Sequence, residues 1–125
     1  WSQALVDGQD ESVYYIDLLA QHTDTGGISG SGVGPQLKMI YRLIMLNSER
    51  NVNRDVFSFQ LGGFDQHFSL KSGLGSLFNN LNTPLAGFRT ALINEGLWDS
   101  VTVVMTSEFG RTITANGNGG TDHGW

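Results

Sequence analysis

Apolar residues recur at helical spacing in three stretches of the chain, and two shorter stretches read as strands. Over residues 11–22, Val13, Ile16 and Ala20, with Tyr14 and Leu18 beside them, mark one helical face. A glycine-rich loop follows over 23–34, a length that in compact domains signals function or disorder. Pro35 then opens a second helix, running to about Arg50, at a first-turn position where its missing N–H costs nothing. That helix is apolar around much of its circumference, which predicts deep packing. Residues 55–61 alternate Val56, Ser58 and Gln60 against Phe57, Phe59 and Leu61, a strand pattern ended by Gly62-Gly63. Leu70, Leu74, Leu77, Phe78 and Leu81 restore helical spacing. Thr83-Pro84 either starts a further helix or kinks one long helix over 70–95. Residues 101–105 are β-branched and almost wholly apolar, as in a strand covered on both faces. Beyond Ser107 no periodicity remains.

A strand, a helical crossover and a second strand imply a parallel pair with a right-handed connection, hence an α/β fold. With 125 residues the chain holds one domain, 1–125. It opens on Trp1 without an initiator Met and stops on Trp125 in a glycine-rich stretch, so it is expected to be a piece of a longer protein. A net charge of −5 with scattered Lys and Arg argues against a nucleic-acid partner. The absence of Cys excludes disulfides and thiolate metal sites. No apolar run is long enough to span a bilayer, since Arg42 interrupts the greasiest stretch, Met39 to Leu46.

Ligands of open α/β sheets bind beyond the carboxyl ends of the strands. There the first predicted strand delivers Asp65 and His67, and the second delivers Glu108 and Arg111. A later loop adds Asp122 and His123. Carboxylate and imidazole donors together suit Zn, Mn or Fe, with Zn or Mn favoured, whereas carboxylates alone would suit Mg or Ca. Other readings stay open: Asp65-x-His67 as a solvated turn, and Glu108 paired with Arg111 at the surface. His22 and Asp24 form a further ligand-type pair where a helix gives way to a loop.

Three motifs, Gly-Gly-Phe-Asp-Gln-His at 62–67, Ser-Glu-Phe-Gly-Arg-Thr at 107–112 and Asn-Gly-Asn-Gly-Gly-Thr-Asp-His-Gly-Trp at 116–125, resemble the bacterial family called domain of unknown function 1501. The resemblance covers about Gln36 to Trp125. It implies a parallel-sheet sandwich like that of alkaline phosphatases and sulfatases, of which this chain would be the C-terminal part. It also implies export, typically to the periplasm, and metal-dependent hydrolysis of a small anionic phosphate or sulfate ester. By the same resemblance His123 is a metal ligand, and Asp65 and His67 stand where the superfamily places an Asp and a His ligand. Glu108-Phe109-Gly110 stands where the superfamily has Asp-His-Gly. Phe109 departs from that pattern, which leaves open one ion or two, or a site with altered ligands. Asp122 is either a ligand or a partner orienting an imidazole, and Arg111 grips the anionic group through its planar fork. The superfamily nucleophile has no counterpart in this chain. The alternative implied is a non-catalytic metal-binding or surface protein that keeps the fold.

Overall fold

A computed structural model describes residues 2–124, and their side chains from Gly8 onward. Three helices, α1 (Ser2–Gln21), α2 (Gly34–Met45) and α3 (Leu70–Asn94), precede a short 3₁₀ turn at Trp98–Ser100 and a hairpin of β1 (Gly110–Ala115) and β2 (Thr121–Gly124). The core lies between α2 and α3 and under the glycine-rich loop. Leu37 and Tyr41 from α2 meet Phe88, Ala91 and Leu92 from α3, and Ile28 and Val33 close the cluster from the loop. Burying such side chains supplies roughly 1.5–3 kcal/mol each and is the main force joining the two helices.

Pro84 lies within α3, which runs through it as one helix. Proline has no N–H, so the carbonyl four residues earlier, at Asn80, loses its helical partner. The loop replaces that partner: Val33 N–H donates to Asn80 O at 3.2 Å. Gly32 makes the approach feasible. It adopts φ +51°, and a Cβ there would collide with the Asn80 backbone.

α1 is tied on by polar contacts as well as by packing, Leu18 being buried among its described side chains. Arg42 of α2 donates through Nε to His22 O at 2.6 Å and through Nη2 to Leu19 O, satisfying carbonyls left open at the end of α1. Arg50, half-buried beyond α2, grips Asp55 through both terminal nitrogens at 2.9 and 2.7 Å. That fork fixes the path of the chain into residues 55–61.

The helices agree with the apolar spacing, although α1 begins earlier than residue 11 and α2 gives way to turns after Met45. The strands differ. Among the described residues neither 55–61 nor 101–105 belongs to a ladder, and the sheet present is the antiparallel β1–β2 pair. The expected parallel pairing of 55–61 with 101–105 is absent there. The physical reason is the lack of partners, because a strand forms only where a neighbour takes its N–H and C=O groups. Val104 (76% exposed) and Met105 (68%) accordingly face solvent, where the sequence predicted burial on both faces.

Candidate metal centre

The region after Ser107, which lacks periodicity in sequence, folds as a hairpin because its loop is built for turning back. Asn116 organises that loop: its side-chain oxygen accepts from Asn118 N–H at 3.0 Å and Gly120 N–H at 3.4 Å. Its amide nitrogen donates to His67 O at 3.0 Å and to Asp122 Oδ1 at 3.1 Å. Asn116 therefore orders the loop and pins it to the 66–68 segment. Leu70 N–H donates to Gly119 O at 2.7 Å, and an isolated bridge joins Phe68 to Gly119. Gly120 is buried against His67; an added Cβ would overlap the His67 carbonyl and lie 2.6 Å from Phe68 N.

In the hairpin register Arg111 stands opposite His123. Cross-strand partners project to one face, and both side chains end on the same atom. His123 Nε2 lies 2.9 Å from Asp65 Oδ1, and Arg111 Nη2 also contacts that oxygen. His67 Nε2 lies 2.9 Å from it as well, while His67 Nδ1 lies 3.2 Å from Asp122 Oδ1. The ligand-type atoms of Asp65, His67 and His123 all fall within 4.8 Å of one another. All three side chains are open to solvent, with relative exposures of 54%, 36% and 51%.

The imidazole N–H of His123 bonded to Asp65 holds that carboxyl below the usual carboxylate range. Desolvation, second to that bond, opposes it, and Arg111 and then the charge of His67 add to the lowering. Asp122 is lowered too, first by the Asn116 amide and then by His67. Both carboxylates are thus poised as anions beside two imidazoles.

Asp65, His67 and His123 are brought together as the motifs predicted, with Asp122 on the far nitrogen of His67. Glu108 is not: it is exposed and makes no hydrogen bond or ion pair among the described residues. Glu108 lies ahead of β1, which starts at Gly110 and carries Arg111 to the site instead. Arg111 pairs with Asp65, not with Glu108. Its other terminal nitrogen donates to Gln66 O at 3.2 Å and Thr121 O at 2.5 Å. His22 and Asp24 do not converge, since His22 faces Leu18 O and Glu49 while Asp24 caps Gly26 N–H.

Three roles escaped the sequence reading. Asn116 is the loop organiser, signalled only by Asn-Gly-Asn-Gly-Gly. Thr112 Oγ1 accepts Asp122 N–H at 3.2 Å. Phe109 stacks on His123 with centroids 3.9 Å apart and carries the Arg111 guanidinium at 5.2 Å from its own centroid. Phe109 is therefore the platform for two site residues.

The donor set passes a test of fit for a cation. One carboxylate and two imidazoles provide three donors, the number found in open catalytic zinc sites. Tetrahedral bonds of about 2.0–2.1 Å place neighbouring donors roughly 3.3–3.4 Å apart. The 2.9 Å separations from Asp65 Oδ1 need open only slightly. Asp122 on Nδ1 of His67 supplies the carboxylate–imidazole support that fixes a ligand ring and leaves Nε2 for the ion.

A family model described as Protein of unknown function (DUF1501) matches residues 22–125. No curated protein and no solved structure matches the chain.

Proposed function

We propose that this chain, which belongs to the DUF1501 family, supplies Asp65, His67 and His123 as ligands of a divalent-cation centre in a metal-dependent hydrolase of phosphate or sulfate esters. The observation that carries the cation is the convergence of three ligand atoms within 4.8 Å from segments far apart in sequence. The mixed oxygen and nitrogen donors favour Zn or Mn over Mg or Ca. When bound, the ion would polarise an ester oxygen and neutralise charge developing on the transferred group. Asp65 contributes the anionic ligand, and Asp122 holds the His67 ring. Ester hydrolysis rests on the resemblance of the three motifs to the alkaline phosphatase and sulfatase superfamily. The same resemblance supports a parallel-sheet sandwich for the complete domain, with 55–61 and 101–105 as strands awaiting neighbours, and an exported protein.

One observation favours a second reading. Phe109 lies against His123, where the superfamily pattern would bring a further ligand. A cation-binding protein without turnover fits that substitution.

Calorimetric titration with Zn²⁺ and Mn²⁺, together with metal analysis of the purified protein, tests the cation. One ion per chain is expected, with binding abolished in His67→Ala and His123→Ala while the helical signal persists. Unaltered binding in both variants, or none in the parent, defeats the reading. Turnover of aryl phosphate and aryl sulfate esters by the full-length protein separates hydrolase from binder.

A further inference from the structure

We propose that a divalent cation and the Arg111 guanidinium compete for Asp65 Oδ1, so that cation binding frees one edge of Arg111 to receive a tetrahedral oxyanion. The inference rests on the cation reading above and adds an order of events to it: cation first, anion second.

The competition follows from crowding at one atom. Asp65 Oδ1 already faces His67 Nε2, His123 Nε2 and Arg111 Nη2. A cation held by Asp65 and the two imidazoles takes up the same oxygen and repels the neighbouring guanidinium. Arg111 is the member of this group that cannot be a ligand, because it has no lone pair to offer and stays protonated. It must therefore yield.

Yielding does not release the side chain as a whole. Nη1 remains bonded to Gln66 O and Thr121 O, and the guanidinium rests over the Phe109 ring. Only the edge carrying Nη2 and Nε is set free, and Nε has no protein partner among the described residues. Those two N–H groups form the side-on fork that matches two oxygens of a phosphate or sulfate. The fork would stand beside the ion, on a side chain held by two carbonyls and an aromatic face. Phosphate and sulfate share the needed chemistry. In the cation-free protein one arm of the fork, Nη2, is taken by Asp65, and the carboxylate repels a second anion.

The test uses Zn²⁺ and inorganic phosphate as probes on the unsubstituted protein and on Arg111→Lys. Zn²⁺ titration followed by nitrogen-detected resonances of the Arg111 guanidinium should show Nη2 and Nε shifting on cation binding and again on phosphate addition. Phosphate affinity by calorimetry should rise at least about tenfold with Zn²⁺ present, a 1.4 kcal/mol difference. In Arg111→Lys, Zn²⁺ should still bind while most of that gain is lost, because an ammonium cannot supply the fork. Zn²⁺ binding that leaves the guanidinium resonances in place overturns the inference and leaves the cation reading standing. So does an equal phosphate gain in Arg111→Lys. Failure of Zn²⁺ to bind removes both.

Discussion

Replacing Gly120 by Ala tests whether the hairpin must press on the His67 segment for the site to exist. Gly120 is buried, and its added Cβ would meet the His67 carbonyl and Phe68 N. These are backbone atoms, which cannot rotate away as a side-chain tip can. Overpacking of this kind costs about 1–3 kcal/mol. The cost should appear as separation of hairpin from segment, because the α2–α3 core shares no buried residue with that contact. If a loss near 2 kcal/mol goes wholly into undocking, the docked fraction falls by up to about 30-fold, and apparent Zn²⁺ affinity falls with it. The assay pairs Zn²⁺ calorimetry with thermal melting followed by helical circular dichroism. Gly75→Ala is the control: Gly75 lies exposed in α3 with nothing within 4 Å of its added Cβ, so it should gain a few tenths to about 1 kcal/mol from helix propensity. The reasoning is refuted if Gly120→Ala binds Zn²⁺ as the parent does, or if its helical melt falls while affinity holds.

Other expectations follow from single contacts. Asp122→Asn keeps an acceptor near His67 Nδ1 but removes its charge, so Zn²⁺ affinity should drop about tenfold with stoichiometry intact; loss of the ion altogether would make Asp122 a ligand. Leu92→Ala, at a fully buried position between α2 and α3, should destabilise the helical core by about 2–5 kcal/mol in denaturant unfolding. Both site carboxylates are held below their ordinary values, so their contribution to hairpin docking is complete above about pH 4 and disappears as pH falls through the lowered native values. Carbon-detected titration of Asp65 and Asp122 should show midpoints below the ordinary aspartate value of about 3.9; midpoints at that value would contradict the hydrogen bonds described.

The helices were legible because their signal is local. Pro35 and the apolar run behind it mark α2, and Leu70, Leu74, Leu77, Phe78 and Leu81 mark the first half of α3, without reference to anything distant. The strands at 55–61 and 101–105 read clearly in pattern, yet a pattern states only what a segment would do given neighbours, and these segments have none among the described residues. The site was legible through residue types: Asp65, His67 and His123 met as expected. The route to their meeting was not. Convergence at the edge of a parallel sheet was expected, whereas an antiparallel hairpin, turned by Asn116 and seated on His67, accomplishes it. Glu108 stands outside the hairpin, since the register of β1 depends on its pairing with β2 and not on the apolar run before it.

The proline in α3 has a consequence for how substitutions combine. Removing its ring restores an N–H that competes with Val33 for the Asn80 carbonyl, and enlarging Gly32 drives the loop away from that same carbonyl. Each change alone disturbs a satisfied arrangement. Once the loop has been driven off, however, an N–H at position 84 becomes a remedy, because it gives the abandoned carbonyl a partner within the helix. Pro84→Ala should therefore be harmful in the parent chain and beneficial in a chain that already carries Gly32→Ala. The sign of one substitution is set by a residue 52 positions earlier, a case of sign epistasis traceable to a single oxygen atom.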